Sequence, residues 1–269
     1  MKYVEIKGGL GNQMFQYCFS KYLEQKYGSD IVLHLDFFDY VKKVPQATVR
    51  QFDLDKMQTN YISVKGNIIC RGIVEEELFD DHVDNHTTEF YSGYWQDKKY
   101  FEYVKDKVCS DFCLKDRFIT DDMRKIVCEM EESNSVSLHI RRTDYLTGLN
   151  IDIFSALDTA YYKKAIDIVR ESAGHDVKVF AFSDDPGYAS KFMELLHVSA
   201  FEIMPVREAF QDIYLMSGTK HHIIANSSFS WWAAALSYGR EKKGITIAPA
   251  EWYKGKPSPN LYLDGWNIV

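Results

Sequence analysis

The sequence lacks several features that mark broad classes of protein. No apolar run approaches the roughly 20 residues that a membrane-spanning helix needs, and the first residues, MKYVEIKGG, lack the apolar core of a signal peptide. The five cysteines include no CxxC pair, so we expect reduced thiols rather than a disulfide framework. A formal net charge of −7 gives no electrostatic basis for binding nucleic acid.

The composition is that of an acidic globular protein. Of the 269 residues, 46% are apolar and 15% are aromatic, which is enough for a sizeable core in one large or two small domains. Any anion-binding site must therefore be a local basic cluster. We expect a cytoplasmic protein, and its oligomeric state and peripheral association with the inner face of a membrane stay open.

Strands and helices alternate along the chain, which predicts an α/β fold. A strand over 2–7, a glycine-rich turn, a helix over about 14–27 and a strand over 31–35 open a parallel sheet. Residues 36–95 are irregular, with short elements predicted near 67–70 and 89–94, and helices follow over about 98–109 and 120–132. The polar stretch EESNS at 131–135 predicts a boundary between domains 1–134 and 135–269.

The second half has a cleaner pattern of alternating elements. We predict strands over 136–141, 177–182, 222–225 and 245–248, and helices over about 159–172, 186–196, 208–217 and 229–238. This spacing is typical of a doubly wound α/β domain, which binds its ligands at the carboxyl ends of its strands.

The segment HIRRTD (residues 139–144) ends the first strand of this half. Strand periodicity places Val136, Leu138 and Ile140 on one face, and His139 and Arg141 on the other. Adjacent arginines at a strand mouth suit a phosphate, because each guanidinium can donate two parallel hydrogen bonds. The alternative is an arginine pair at the surface, bridged to the aspartate at 144.

Two further strand ends carry polar residues. Asp185 precedes a proline, so it is a plausible helix N-cap that would leave Asp184 to accept N–H groups from a purine; alternatively both aspartates serve the helix terminus. Ser227 and Ser228 open an apolar helix whose first N–H groups would form a phosphate seat, or act only as caps. At most one of the two tryptophans at 231 and 232 is expected to line a site; the alternative is that both belong to the core.

The turn at residues 8–11 resembles a dinucleotide fingerprint only in part. Met14 stands where a nicotinamide-binding protein needs a small residue, which weakens that interpretation. The glycines at 9 and 11 instead let the backbone approach a sugar or phosphate, beside the amides of Asn12 and Gln13. His82 and His86 lack a third ligand cluster, so no metal site is predicted.

Together these segments resemble the α-1,2-fucosyltransferases of glycosyltransferase family 11, within the HxRRxD fucosyltransferase superfamily. The resemblance rests on GLGNQ (9–13), SGYWQ (92–96), HIRRTD (139–144), FSDD (182–185) and NSSFSWW (226–232), in that order along nearly the whole chain. It implies a GT-B-like fold with two Rossmann-like domains facing a cleft, the first on the acceptor side and the second binding GDP-fucose. It also implies an inverting reaction without a metal or other cofactor, with a nucleotide sugar and a glycan acceptor as partners.

The resemblance also implies roles for single residues. Arg141 would contact the β-phosphate and stabilise the charge on departing GDP, while Arg142 would support it or orient Asp144. Asp144 is a candidate base as well as a brace. His139 would lie against the nucleoside.

The remaining donor contacts follow from the same resemblance. Asp184 would read guanine, and Ser227 and Ser228 would hold phosphate or ribose. Gly9, Gly11, Asn12 and Gln13 would complete the donor site. The expected activity is transfer of L-fucose from GDP-fucose to the 2-hydroxyl of a terminal galactose; another donor or linkage, or a non-catalytic nucleotide-sugar-binding module, are the alternatives.

Overall fold

The computed structural model describes residues 1–45, 47–141, 157–240 and 244–269. It divides the chain into two compact units, Met1–Lys115 and Asp116–Val269. Within the described residues, each unit has its own sheet, with five strands in the first and six in the second, and the paired strands of both sheets are parallel. The predicted α/β class with two Rossmann-like domains is confirmed.

The first unit surrounds a sheet with the strand order β3-β2-β1-β5-β4. Its strands are β1 (Lys2–Glu5), β2 (Ile31–His34), β3 (Ile62–Val64), β4 (Gly72–Glu75) and β5 (Glu89–Ser92). Its helices are α1 (Leu10–Tyr27), the short α2 (Phe37–Tyr40) and α3 (Lys98–Asp111). The central strands are covered, whereas the edge strand β3 is exposed along its whole length.

Helix α1 forms the centre of this unit because its apolar residues recur with helical spacing. Phe15, Cys18, Phe19, Tyr22 and Leu23, which define the predicted stripe, are all buried. Gly28 ends the helix in the left-handed conformation, with φ of 63°, and its N–H donates to the carbonyl of Glu24. The predicted helix is confirmed, and it begins four residues earlier than expected, directly after Gly9.

The second unit surrounds a sheet with the order β11-β10-β9-β6-β7-β8. Its strands are β6 (Ser135–Ile140), β7 (Lys178–Ser183), β8 (Phe201–Ile203), β9 (His221–Ile223), β10 (Thr246–Ala248) and β11 (Asn267–Ile268). Its helices are α4 (Asp121–Glu132), α5 (Thr159–Ala173), α6 (Pro186–Leu195), α7 (Ala209–Met216) and α8 (Ser228–Gly239).

Strand β6 lies between β7 and β9, and all six of its residues are buried. Val136, Leu138 and Ile140 join the main hydrophobic core of this unit, together with residues of α5 and α6. The opposite face carries the serine at 137 and His139, which are also buried. The sequence periodicity therefore predicted the two faces of β6 but not that both are covered, as is usual in a parallel sheet.

Several elements differ from the sequence-based expectations. Strands β3, β4, β8 and β11 were not predicted, because they are short and β3 and β4 are largely exposed. No strand or helix forms at 67–70. Helix α4 lies in the second unit, so the boundary between the units precedes the predicted one at 134. No helix in the described part of the chain is both long enough and apolar enough to span a bilayer.

Candidate functional site

The ends of β6 and β7 bring a basic and an acidic residue together. These strands pair in parallel with Ile140 opposite Ser183, so the residues that follow them, Arg141 and Asp184, are neighbours at the carboxyl edge of the sheet. The Arg141 Nη1 lies 3.5 Å from the Asp184 Oδ2, and each side chain is about a fifth exposed, at 23% and 20%. A guanidinium held here by a carboxylate is available to an anion at the strand mouth.

His139 is buried beside this pair. Its Nδ1 has no hydrogen-bond partner among the residues that the structure describes, and its ring centre lies 5.5 Å from that of Phe229 at the start of α8. Burial lowers the pKa of His139 to about 3, and the Arg141 cation contributes in the same direction while Asp184 opposes it. The imidazole is therefore neutral at physiological pH, with one ring nitrogen that donates a hydrogen bond and one that accepts.

The two aspartates after β7 have different local roles. Asp185 caps α6, since its Oδ1 accepts a hydrogen bond of 3.0 Å from the N–H of Tyr188, with Pro186 at the first helical position. The prediction that Asp185 is an N-cap is confirmed. The expectation that this cap would leave Asp184 unpaired is wrong, because Asp184 pairs with Arg141.

The segment after β9 leads into the N-terminus of α8. The Oγ of Ser227 accepts a hydrogen bond of 3.3 Å from the N–H of Phe229 and caps the helix. Asn226 is buried and donates from its Nδ2 to the carbonyl of Trp252 at 3.1 Å. Ser227 is 9% exposed and Ser228 is half-buried, so the first turn of α8 is accessible through the serine at 228.

The tryptophans of α8 belong to the core. Trp231 and Trp232 are both fully buried, and the indole N–H of Trp231 donates to the carbonyl of Leu261 at 2.6 Å. Of the predicted alternatives, the structure supports core packing for both. His222 is likewise a core residue, whose Nδ1 bonds the hydroxyl of Ser137 at 2.8 Å.

The predicted residues of the glycine-rich turn lie in the first unit. Gly8 has φ of +79°, and a Cβ atom there would come within 2.8 Å of the Asn12 side chain, so this turn needs glycine for its own geometry. Gly9 is the N-cap of α1 in an extended conformation, and Gly11 is buried in its first turn. Asn12 accepts a hydrogen bond of 2.9 Å from the side-chain amide of Gln96.

Gln13 is buried, and its amide is used inside the protein. Its Nε2 donates to the carbonyls of Gly8 and Gln51 at 3.1 and 2.7 Å, and its Oε1 accepts from the N–H of Asp53 at 2.9 Å. The side chain thus fastens the segment at 51–53 to the glycine turn.

Arg142 and Asp144, the other two predicted site residues, lie outside the described residues, as does most of the segment that follows β6.

Sequence reasoning missed one carboxylate of the second unit. Asp212 lies in α7, and its Oδ1 is buried without a hydrogen-bond partner among the described residues. Burial raises its pKa to about 7, and the nearby Arg207 opposes that shift. Because α7 connects β8 to β9, its first turns lie towards the carboxyl edge of the sheet. The signal was available, since Asp212 is the one charged residue in the helix sequence AFQDIYLM.

The described residues include no group of three or more His, Cys, Asp or Glu side chains that could hold a metal ion. All five cysteines are free thiols.

Comparison with known proteins gives the class of the fold. The structure is similar to the fucosyltransferase NodZ soaked with GDP-fucose, an α-1,6-fucosyltransferase, with a TM-score of 0.54 and 12% identity over 87% of this chain and 91% of that one. A second NodZ structure, from Bradyrhizobium, has a TM-score of 0.52, at 12% identity over 87% of this chain and 92% of that one. The fold is therefore that of the GT-B glycosyltransferases.

Sequence relatives narrow the class further. The model of "Glycosyl transferase family 11" matches residues 1–269, and the chain belongs to this family. It is 32% identical to an Escherichia coli α-1,2-colitosyltransferase, over 93% of this chain and 91% of that protein. It is also 28% identical to the O-antigen biosynthesis glycosyltransferase WbnK of the same organism, over 97% of this chain and 98% of that protein. The protein is a glycosyltransferase.

Proposed function

We propose that this glycosyltransferase moves L-fucose from GDP-fucose to the 2-hydroxyl of a terminal galactose, with inversion and without a metal. The observation that carries the proposal is the Arg141–Asp184 pair at the carboxyl edge of the second sheet, beside the neutral His139. Membership of family 11 and the α-1,2 linkage in the name of a 32% identical relative support the linkage. The acceptor would be a lipid-linked or soluble glycan precursor in the cytoplasm.

The chemistry requires a cation where the leaving group gains charge. The acceptor oxygen attacks C1 of fucose, the C1–O bond to GDP breaks, and the electron pair of that bond stays on the diphosphate. Arg141 would stabilise this charge, together with the positive end of the α8 dipole and the hydroxyls of Ser227 and Ser228 at its start. Arg142 would support Arg141 or orient Asp144. Asp144 would take the proton of the acceptor hydroxyl, or would only hold an arginine in place.

The nucleoside would be bound by neutral and acidic side chains. His139 would lie against the base as a neutral imidazole, whose buried Nδ1 has no partner among the described residues. Asp184 would accept N–H groups of guanine. Asp212 is a second candidate for that role, because its buried Oδ1 has no partner in the described part of the chain.

The glycine-rich turn of the first unit is a further candidate contact for the donor. Gly9 and Gly11 would let the backbone approach the donor, with Asn12 beside them. Gln13 would support that contact through the backbone, since its amide already bonds Gly8, Gln51 and Asp53.

Transfer of another deoxysugar is the second candidate function. The 32% identical relative is a colitosyltransferase, and colitose differs from fucose only by the absence of the 3-hydroxyl. A site that hydrogen-bonds this hydroxyl rejects the analogue that lacks it, because its polar groups are then left unpaired. Donor preference therefore separates the two candidates.

A transfer assay tests the proposal. The full chain is incubated with GDP-fucose or GDP-colitose and a panel of β-galactosides, with and without EDTA, and the product linkage is determined by NMR. We expect an α-1,2-fucosyl product that forms equally well in EDTA. Preference for GDP-colitose would replace the first candidate by the second. Tight GDP binding with neither transfer nor donor hydrolysis would leave only a nucleotide-sugar-binding module.

A further inference from the structure

An exposed tyrosine follows β5 at the carboxyl edge of the first sheet. Tyr94 is 45% exposed, although it lies next to the fully buried Trp95. Trp95 has φ of 57°, a left-handed conformation that bulky residues rarely adopt. Its ring stacks on Phe19 with the ring centres 3.7 Å apart and the planes nearly parallel. The buried indole therefore fixes the turn from which Tyr94 projects.

The carboxylate of Glu76 holds the same turn through two hydrogen bonds to its backbone. The backbone N–H groups of Tyr94 and Gln96 donate to the two oxygens of Glu76, at 2.7 and 3.1 Å. Glu76 directly follows β4, which pairs with β5. A Cβ atom on Gly93 would lie 2.6 Å from the Cβ of Glu76, so this close approach needs glycine at 93. An exposed aromatic residue held by two independent constraints is preorganised for binding.

Hydrogen-bonding groups lie beside the tyrosine ring. The Lys7 ammonium is 5.6 Å from the ring centre of Tyr94. It donates to the Glu5 carboxylate at 2.7 Å, and the Ser92 hydroxyl donates to the same oxygen at 2.7 Å. The Lys7 and Glu5 side chains are each partly exposed. The Lys7 ammonium lies over the tyrosine ring, and the Glu5 carboxylate and the Ser92 hydroxyl are bonded to that ammonium. The group therefore combines an aromatic surface with hydrogen-bond donors and acceptors.

We propose that Tyr94 and the Glu5, Lys7 and Ser92 group bind a pyranose ring of the glycan acceptor, with Glu76 as the positioning residue of Tyr94. The ring would stack on the C–H face of the sugar, and the polar group would bond its hydroxyls. A pyranose matches both features, because its C–H face is apolar and its hydroxyls donate and accept hydrogen bonds, whereas an apolar ligand would cover the polar group without bonding it. This subsite deepens the proposed function and rests on it for the identity of the sugar as a galactoside.

The test measures sugar binding without catalysis. Saturation-transfer NMR titrations with methyl β-galactoside give its Kd for the full-length wild type and for Y94A, Y94F and E76A. We expect Y94A and E76A to weaken binding roughly tenfold, the loss of one well-placed aromatic contact. Y94F should stay within about threefold of wild type, since it keeps the ring.

Y103A is the matched control, because Tyr103 on α3 is 46% exposed and its ring packs against Tyr22. A structural role for Glu76 alone would lower the thermal midpoint of E76A without changing its Kd, so both are measured. E76Q retains one acceptor oxygen and should recover part of the affinity.

Parallel transfer assays separate the two proposals. If Y94A raises the galactoside KM but not the GDP-fucose KM, both proposals are supported. If the wild type binds the galactoside through Tyr94 but transfers no fucose, the subsite stands and the proposed function fails. If Y94A and Y103A have the same Kd and KM, or the wild type does not bind the galactoside, the subsite is overturned.

Discussion

The buried polar side chains near the strand ends differ between the two units in how completely they are hydrogen-bonded. In the first unit, Gln13 and Gln16 are buried amides whose donors and acceptors are satisfied by backbone groups of nearby turns. In the second unit, two ionisable side chains, His139 and Asp212, each hold a buried polar atom that has no partner among the described residues, whereas the atom of this kind in the first unit is the indole N–H of Trp95, which does not titrate. An unsatisfied buried group costs stability, whereas a satisfied one makes the turn rigid.

Under the proposed function, this difference gives the two sheets different roles. The carboxyl edge of the first sheet (the first edge) would support the fold, and the carboxyl edge of the second sheet (the second edge) would bind the donor. Bonds within the first unit fix backbone turns before any ligand arrives. The second unit keeps a neutral imidazole and a carboxylate with a pKa of about 7, which a bound nucleoside would satisfy. Substitutions at the first edge should therefore mainly lower the stability of the fold. Substitutions at the second edge should mainly lower ligand binding or transfer.

The largest effect is expected at the cation of the second edge. Arg141→Ala should lower the rate of fucosyl transfer by about 10²–10³, because one preorganised donor to the developing negative charge is lost. Its free energy of unfolding should change little, since the pair with Asp184 is partly exposed. Steady-state transfer assays and urea unfolding provide the two measurements.

Arg170→Ala, near the end of α5, is the control for that prediction. It should match the wild type in both assays. Near-normal transfer by Arg141→Ala would refute the assignment of the second edge as the donor site.

The next effect is expected in the stability of the first edge. Gln13→Met keeps the size of the side chain but leaves the carbonyls of Gly8 and Gln51 and the N–H of Asp53 without their partner. We expect the free energy of unfolding to fall by about 3 kcal/mol, since each buried unpaired group costs about 1–3 kcal/mol and water recovers part of it.

Gln58→Met at an exposed position is the matched control, and urea unfolding compares the two variants. If Gln13→Met binds GDP more weakly but has the same free energy of unfolding as the wild type, Gln13 contacts the nucleotide directly. The contrast between the two edges then fails.

The smallest effect is expected at Asp212, where stability and binding should move in opposite directions. The raised pKa means that ionisation of Asp212 opposes folding; the penalty is absent below pH 4, grows towards pH 7 and is complete above it. At pH 8, Asp212→Asn should therefore gain about 1–2 kcal/mol of stability, allowing for the part of the side chain that remains exposed.

The substitution Asp212→Asn should lower the affinity for GDP, although it raises stability. If guanine N–H groups donate to the Asp212 carboxylate, GDP binding to the wild type should tighten as the pH rises through 7. Asp212→Asn should bind GDP about tenfold more weakly at pH 8, with a flat pH profile. Calorimetric titrations at pH 6 and 8 measure the GDP affinities of the wild type and of Asp212→Asn. The control is Asp116→Asn, at an exposed site. Unchanged GDP affinity in Asp212→Asn would leave Asp184 as the candidate reader of the base.

Local sequence signals predicted the regular part of the fold well. Helix α1 and the alternating elements from β6 to β10, apart from the short β8, have strong periodicity or clear caps, such as Asp185 before Pro186. The exposed strands β3 and β4 lack that signal, because their formation depends on pairing with neighbours distant in the sequence. The same limitation hid the turn at Tyr94, which is held by Glu76 from another strand end.

The sequence by itself determined the family, the parallel α/β class and the neighbourhood of Arg141, Asp184 and Ser227, because motifs, periodicity and strand ends are local properties. Only the tertiary structure decided which polar atoms are satisfied. It uses the amide of Gln13 inside the protein and leaves atoms of His139 and Asp212 without described partners. Hydrogen-bond satisfaction depends on residues far apart in the chain, and no local pattern records it.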